Sequence, residues 1–181
     1  MNGVSATYDA SGNMTNDGQN SLVYDGENHA VSATVTGSSS GAAAASQGIP
    51  TELLAAIGIR ETGFQNMTGD YGHGHGIFQL DDRWNPPSVI AVAYNPSAAA
   101  NIAGGKLATN LNFYASQGIG GLGKYAAAVR DYNASPGADH GKVWRLGAMA
   151  ASEAQRPYWL DVGTANGNYV SNVLAIARNC F

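Results

Sequence analysis

Three carboxylates of this chain, Glu61, Asp70 and Asp81, fall within one stretch whose residue types suit acid/base chemistry. Glu61 closes an apolar helical pattern in Gly58-Ile59-Arg60-Glu61-Thr62-Gly63-Phe64. The segment Gly69-Asp70-Tyr71-Gly72-His73-Gly74-His75-Gly76-Ile77-Phe78-Gln79-Leu80-Asp81 then brings the two aspartates. Cleaving a glycosidic bond needs carboxyl groups in unlike environments, one protonated to serve the leaving oxygen and one ionised to serve the attacking water. An apolar helix end followed by a glycine-rich loop offers both environments.

The element that must position Glu61 is a helix. Pro50 suits a first helical turn, where its missing N–H has no partner in any case, and Thr51-Glu52-Leu53-Leu54-Ala55-Ala56-Ile57 leads on from it. Ile49, Leu53, Ile57 and Glu61 recur every fourth residue. At about 100° per residue, Glu61 falls within roughly 40° of Ile57 and roughly 20° of Leu54 around the helix. The pattern predicts Glu61 on the buried stripe, where desolvation raises a carboxyl pKa and suits a general acid. A plainer role also fits: the residue marks where the helix reaches solvent, or pairs with an arginine.

The elements that must position the aspartates are a glycine loop and a short strand. Frequent glycine between Gly69 and Gly76 permits positive φ and close approach to the main chain, and Ile77-Phe78-Gln79-Leu80 reads as a short buried strand or the start of another element. A hairpin-like path would aim Asp70 and Asp81 at the space in front of Glu61. Taken singly, Asp70 is a turn residue, and Asp81-Asp82 before Arg83 fits a helix cap or a solvated ion pair. His73 and His75 alternate with glycine and invite a metal reading. A His-x-His pair with one nearby aspartate falls short of a catalytic zinc site, so the reading is no metal, with His73 contacting substrate or orienting a carboxylate.

Taken in order, these motifs resemble the catalytic region of goose-type lysozymes and the related soluble lytic transglycosylases. Arg60-Glu61-Thr62 is similar to their Arg-Glu-Ser helix end. The loop through Asp81 is similar to their Gly-Asp-x-Gly-x-Gly-x-Gly and Gly-Leu-Met-Gln segments with an aspartate soon after. Asp131-Tyr132-Asn133-Ala134 resembles their Ala-Tyr-Asn-Ala-Gly motif, and Asn168-Tyr169-Val170 with Val173 resembles their late Asn-Tyr-Val-x-x-Val helix. The resemblance covers residues 48–181. Thr62 stands where serine is usual, Phe78 where methionine is usual, and Ser135 where glycine is usual.

The resemblance implies a peptidoglycan hydrolase, an N-acetylmuramidase, that cleaves the β-1,4 bond between N-acetylmuramic acid and N-acetylglucosamine with inversion and without a cofactor. Glu61 would protonate the glycosidic oxygen, and Asp70 and Asp81 would position the water. His73, Phe78, Gln79, Tyr132, Asn133 and Tyr169 would bind substrate. Other readings stay open. One is a lytic transglycosylase leaving anhydro ends, or a chitinase of the same fold. Another is a non-catalytic cell-wall-binding or toxin-shell fragment.

Composition bounds the partners. The 181 residues suffice for a proper core, and 44% hydrophobic with 12% charged residues argues against disorder. A net charge of -4 offers no electrostatic attraction to nucleic acid. Cys180 is the single cysteine, so no internal disulfide forms and packing must hold the fold. The start, Met1-Asn2-Gly3-Val4-Ser5, has neither a basic nor an apolar run, so the reading includes no signal peptide and no membrane insertion. The expected location is nevertheless the cell wall or periplasm, by secretion or delivery. The expected partners are glycan strands and an inhibitor or immunity protein, with the protein a monomer.

Ahead of the catalytic region, Tyr8-Asp9-Ala10-Ser11-Gly12-Asn13 and Tyr24-Asp25-Gly26-Glu27-Asn28 form an imperfect repeat, with Ser21–Tyr24 and Ala30–Val35 reading as strands around a turn. This resembles the tyrosine-aspartate repeats of Rhs-type polymorphic toxin shells. The expected organisation is a β segment over 1–36, a Gly/Ser/Ala linker over 37–47 and a lysozyme-like domain over 48–181. The expected fold class is mainly α, with helices near 50–62, 97–116, 121–134, 142–156 and 166–178 and a small β region at the glycine loop. Leu107, Leu111 and Tyr114 belong to the expected core, with Val170, Val173, Leu174 and Ile176. Trp84, Trp144 and Trp159 fit either packing or a sugar cleft.

Overall fold

Helices dominate, with two small antiparallel sheets, and the chain divides into two compact units, 1–104 with 176–181 and 105–175. The computed structural model describes residues 7–16, 20–24, 30–35, 39–134 and 156–179. The expected helix 142–156, apart from Arg156, lies outside the described residues, as do the second Tyr-Asp turn at 25–28, Trp144 and Cys180.

In the first unit, β1 (Thr7–Tyr8), β2 (Met14–Asn16), β3 (Asn20–Tyr24) and β4 (Ala30–Val35) form a sheet in sequence order, every neighbour antiparallel. The first Tyr-Asp turn shows why that dipeptide suits a hairpin. The Asp9 carboxylate accepts the N–H groups of Ser11 and Asn13, each at 2.9 Å, and the Asn13 side-chain amide, while Gly12 takes φ +85°. The Asn13 bond, first among several, holds Asp9 below the usual carboxylate range.

The segment expected to be a linker is instead helical over α1 (Ser39–Gln47), with Ser40, Ala43 and Ala44 buried. Alanine loses least on entering a helix, and the run Ala42–Ala45 outweighs the flanking serines and glycine. Gly48 ends α1 at φ +65°, with Gly48 N–H bonded to Ala45 O and Ile49 N–H to Ala44 O, a Schellman closure. Helix α2 (Thr51–Thr62) follows. The sequence predicts an apolar stripe, yet every residue from Leu53 to Ile59 is buried, so α2 is enclosed nearly all round. Gly63 at φ +60° stops it, and the Phe64 ring folds back so closely that a Cβ on Gly58 would lie 2.6 Å from it.

A second sheet of β5 (Thr68–Gly69), β6 (Gly74–His75) and β7 (Leu80–Asp81) follows, with α3 (Pro87–Ile90) packed on β7. Helix α4 (Pro96–Ser116) begins in the first unit, where Gly104 lies against Gln47, Ile49 and Leu54.

The second unit holds the rest of α4, α5 (Gly121–Asn133), α6 (Arg156–Asp161) and most of α7 (Tyr169–Asn179). Leu107, Leu111, Tyr114, Val170, Val173 and Leu174 are buried as expected, while Ile176 is half-buried. The last helix starts at Tyr169 rather than 166 because Asn166 and Gly167 take positive φ in the preceding turn. Its first amides are satisfied in full: Tyr169 N–H by Thr164 Oγ1, and Val170 and Ser171 N–H by the buried Asp161 carboxylate, which also takes the Ser171 hydroxyl. Asp161→Ala will therefore lower stability by about 2 kcal/mol, the upper range for loss of a helix cap. Chemical unfolding monitored by circular dichroism measures it, and an unchanged midpoint would contradict the capping role.

Candidate active site

The glycine loop is a device for bringing residues distant along the chain to one end of a three-stranded sheet. Gly74 of the central strand β6 pairs with Gly69 on one side and with Asp81 on the other. Asp70 follows Gly69 directly, so both aspartates emerge at the same end of the sheet. Its glycines are needed for a reason beyond turning. A Cβ on Gly69 or Gly74 would lie 2.2 or 2.3 Å from Gln79 Oε1, so the Gln79 carboxamide lies across their bare faces. Gln79 then donates through Nε2 to Gly76 O at 2.9 Å and Met67 O at 3.2 Å. The residue expected to bind substrate spends its amide donor on the loop itself.

Arg83 joins the aspartates. Its Nε donates to both Asp81 oxygens, at 2.9 and 3.1 Å, and its Nη2 donates to Asp70 Oδ2 and Asp81 Oδ2. Asp81 Oδ1 also accepts the Arg83 backbone N–H at 2.8 Å. The Arg83 hydrogen bond, ahead of the opposing effect of burial, holds the Asp81 carboxyl below the usual carboxylate range and raises the guanidinium's own pKa. Because the folded-state pKa is depressed, the stabilising contribution is present above the ordinary carboxylate pKa and is lost as pH falls through the depressed value.

Asp82 belongs to a separate system. His73 Nδ1 and His75 Nε2 lie 2.8 and 3.2 Å from its two oxygens, and these bonds, His73 first, lower its pKa. His75 Nδ1 reaches the Tyr94 hydroxyl at 3.2 Å, which also bonds Thr68 Oγ1. His73 thus holds a carboxylate, although neither Asp70 nor Asp81. Among the described residues, no group of three or more His, Cys, Asp or Glu side chains is arranged to hold a metal ion.

Glu61 is half-buried in the last turn of α2. Its neighbour Thr62 donates through Oγ1 to Ile77 O at 2.9 Å, which ties the helix end to the segment between β6 and β7. Phe78, expected at the substrate, is 1% exposed, because its side chain enters the core beside the glycine turn. The exposed aromatic rings of this region are others: Tyr71 is fully exposed, Trp84, next to Arg83, is 71% exposed, and Tyr94 is exposed as well.

Tyr132, Asn133 and Tyr169 belong to the second unit. Tyr132 is half-buried with Lys106 Nζ 5.7 Å from its ring centroid. Asn133 Oδ1 accepts the Ala165 N–H at 2.9 Å and so fixes the turn before α7. Tyr169, at 1% exposed, is core and presents no ring to a ligand. Beside them Tyr114 donates to Asp131 Oδ2 at 2.6 Å, next to buried Arg130. The motif residues Asp131 and Asn133 are therefore engaged in holding this unit together.

The sequence left open an ion pair at Asp81-Asp82-Arg83, and Arg83 does pair with Asp81; what sequence reasoning missed is that the same guanidinium reaches Asp70. Tyr94, which reaches the loop from beyond α3, gave no signal at all. No protein-family model matches the chain, and no curated protein matches it.

Proposed function

We propose that the chain is a peptidoglycan hydrolase with a lysozyme-like helical catalytic domain, an inverting N-acetylmuramidase. The observation that carries the reading is the meeting of Asp70 and Asp81 at one sheet end, with Asp81 kept ionised, in a loop tied to the helix end that bears Glu61. In this reading Glu61 gives its proton to the glycosidic oxygen as the bond from C1 breaks. A water oxygen bonds C1 from the opposite face, and its proton passes to the aspartate pair. The exposed rings of Tyr71 and Trp84 suit stacking on sugar faces.

The four-stranded sheet and its Tyr-Asp turn support the further reading that residues 1–36 are the end of an Rhs-type shell, with the enzyme as its payload. Delivery to the wall and inhibition by an immunity protein would follow from that role.

Mass spectrometry of fragments released from purified peptidoglycan tests the proposal. Reducing muramic ends are the expected product. Anhydro ends would make the enzyme a lytic transglycosylase, and cleavage of chitin alone would make it a chitinase. Wall binding without any fragments would leave a non-catalytic module.

A further inference from the structure

We propose that Arg83 is a positioning residue for the reaction: its guanidinium, bonded at once to Asp81 and Asp70, locks the two carboxylates into the single arrangement from which they hold the attacking water. The inference rests on the hydrolase reading above. Strands in a sheet lie about 4.8 Å apart, so backbones on either side of β6 are roughly 10 Å apart. Two carboxylates delivered from those positions repel each other and, without a shared cation, turn towards solvent separately.

The backbone that carries Asp70 is held in an uncommon conformation. Asp70 takes φ +45° and Tyr71 φ +54°, two consecutive non-glycine residues in the left-handed region. Such conformations persist only where surrounding structure holds them, and they gather at functional sites. Stability alone does not account for the arrangement. The side chains of Arg83, Asp70 and Asp81 are 47%, 48% and 22% exposed, and ion pairs this open contribute little to folding. What the fork of Arg83 supplies is geometry: three guanidinium contacts to Asp81 and one to Asp70 from one planar group.

The other titratable groups around the pair are Tyr71 on the same turn, His73, which when protonated favours ionised Asp81, and His75 and Asp82, which engage each other. Helix α2 carries Glu61 in its last turn, and α3 brings no titratable side chain.

The test compares wild type, Arg83→Lys and Arg83→Ala in two measurements. In the first, kcat and KM on purified peptidoglycan are followed against pH. Arg83→Ala is expected to lose at least tenfold in kcat with KM nearly unchanged, and the acid limb of its profile is expected to move to higher pH. Arg83→Lys, a point charge without the fork, is expected to fall between. In the second, carbon-13 NMR follows the Asp70 and Asp81 carboxyl groups through titration, and the Asp81 midpoint is expected to rise in Arg83→Ala. A wild-type kcat and acid limb in Arg83→Ala, or an unmoved Asp81 midpoint in that folded variant, would overturn the positioning role. If wild type releases no fragments, the hydrolase reading fails, and with it any role in the reaction; the carboxyl titration then still reports whether Arg83 sets the Asp81 charge.

Discussion

Glu61→Gln is expected to reduce the release of muramic fragments by about 10²–10⁴-fold, the usual contribution of a general acid. Glutamine keeps the shape and the hydrogen-bonding reach of the side chain but has no proton to give to a departing sugar oxygen. Helix α2 should survive the change, because its stability lies in the buried run from Leu53 to Ile59, and Glu61 is only half-buried at its last turn. An unchanged far-ultraviolet spectrum and melting temperature, with turnover nearly gone, would assign the acid. Near-normal turnover would remove Glu61 from that role and redirect attention to the loop carboxylates.

The largest loss of stability is expected from Gly76→Ala. A Cβ there would lie 2.0 Å from the Ala93 carbonyl oxygen, a backbone atom that cannot move aside, and Gly76 takes φ +69°. The left-handed backbone costs about 1–2 kcal/mol for any other residue, and forced overpacking adds about 1–3 kcal/mol, giving roughly 2–5 kcal/mol together. For a chain of this size that corresponds to a fall in melting temperature of roughly 4–20 °C. The damage should reach the candidate site as well. Gly76 N–H bonds Met67 O, and Gly76 O receives both the backbone and side-chain donors of Gln79. Differential scanning calorimetry decides the matter, and a melting temperature within a degree of wild type would show that the approach to Ala93 is not as close as described.

Much of this was legible in the sequence because it depends on local rules. The β3–β4 pair, α2, α4 and α5 followed from apolar periodicity and turn residues, and the meeting of Asp70 with Asp81 from the hairpin-like glycine spacing. What could not be read depends on tertiary packing. The Ala42–Ala45 run is too small in side chain to display a stripe, so α1 passed for a linker until its burial showed otherwise. Phe78 and Tyr169 carry rings as suited to a sugar as to a core, and only the path of the backbone assigns them to the core. The resemblance implies Gln79 at the substrate, but its position over Gly69 and Gly74 depends on absent side chains, which sequence patterns show only as glycine.

The closure between α1 and α2 bears on the payload reading proposed above. Gln47 and Ile49 both lie against Gly104, and Ala43 and Ala44 are buried. Scission at the Gly/Ser/Ala stretch, after Gln47, would strip away a helix that the first unit packs as its own and open the surface it covers. A cut ahead of Ser39 would leave that helix in place. The sequence that looks most like a tether is therefore a packed helix, and on the payload reading proposed above a cut that spares it would fall ahead of Ser39.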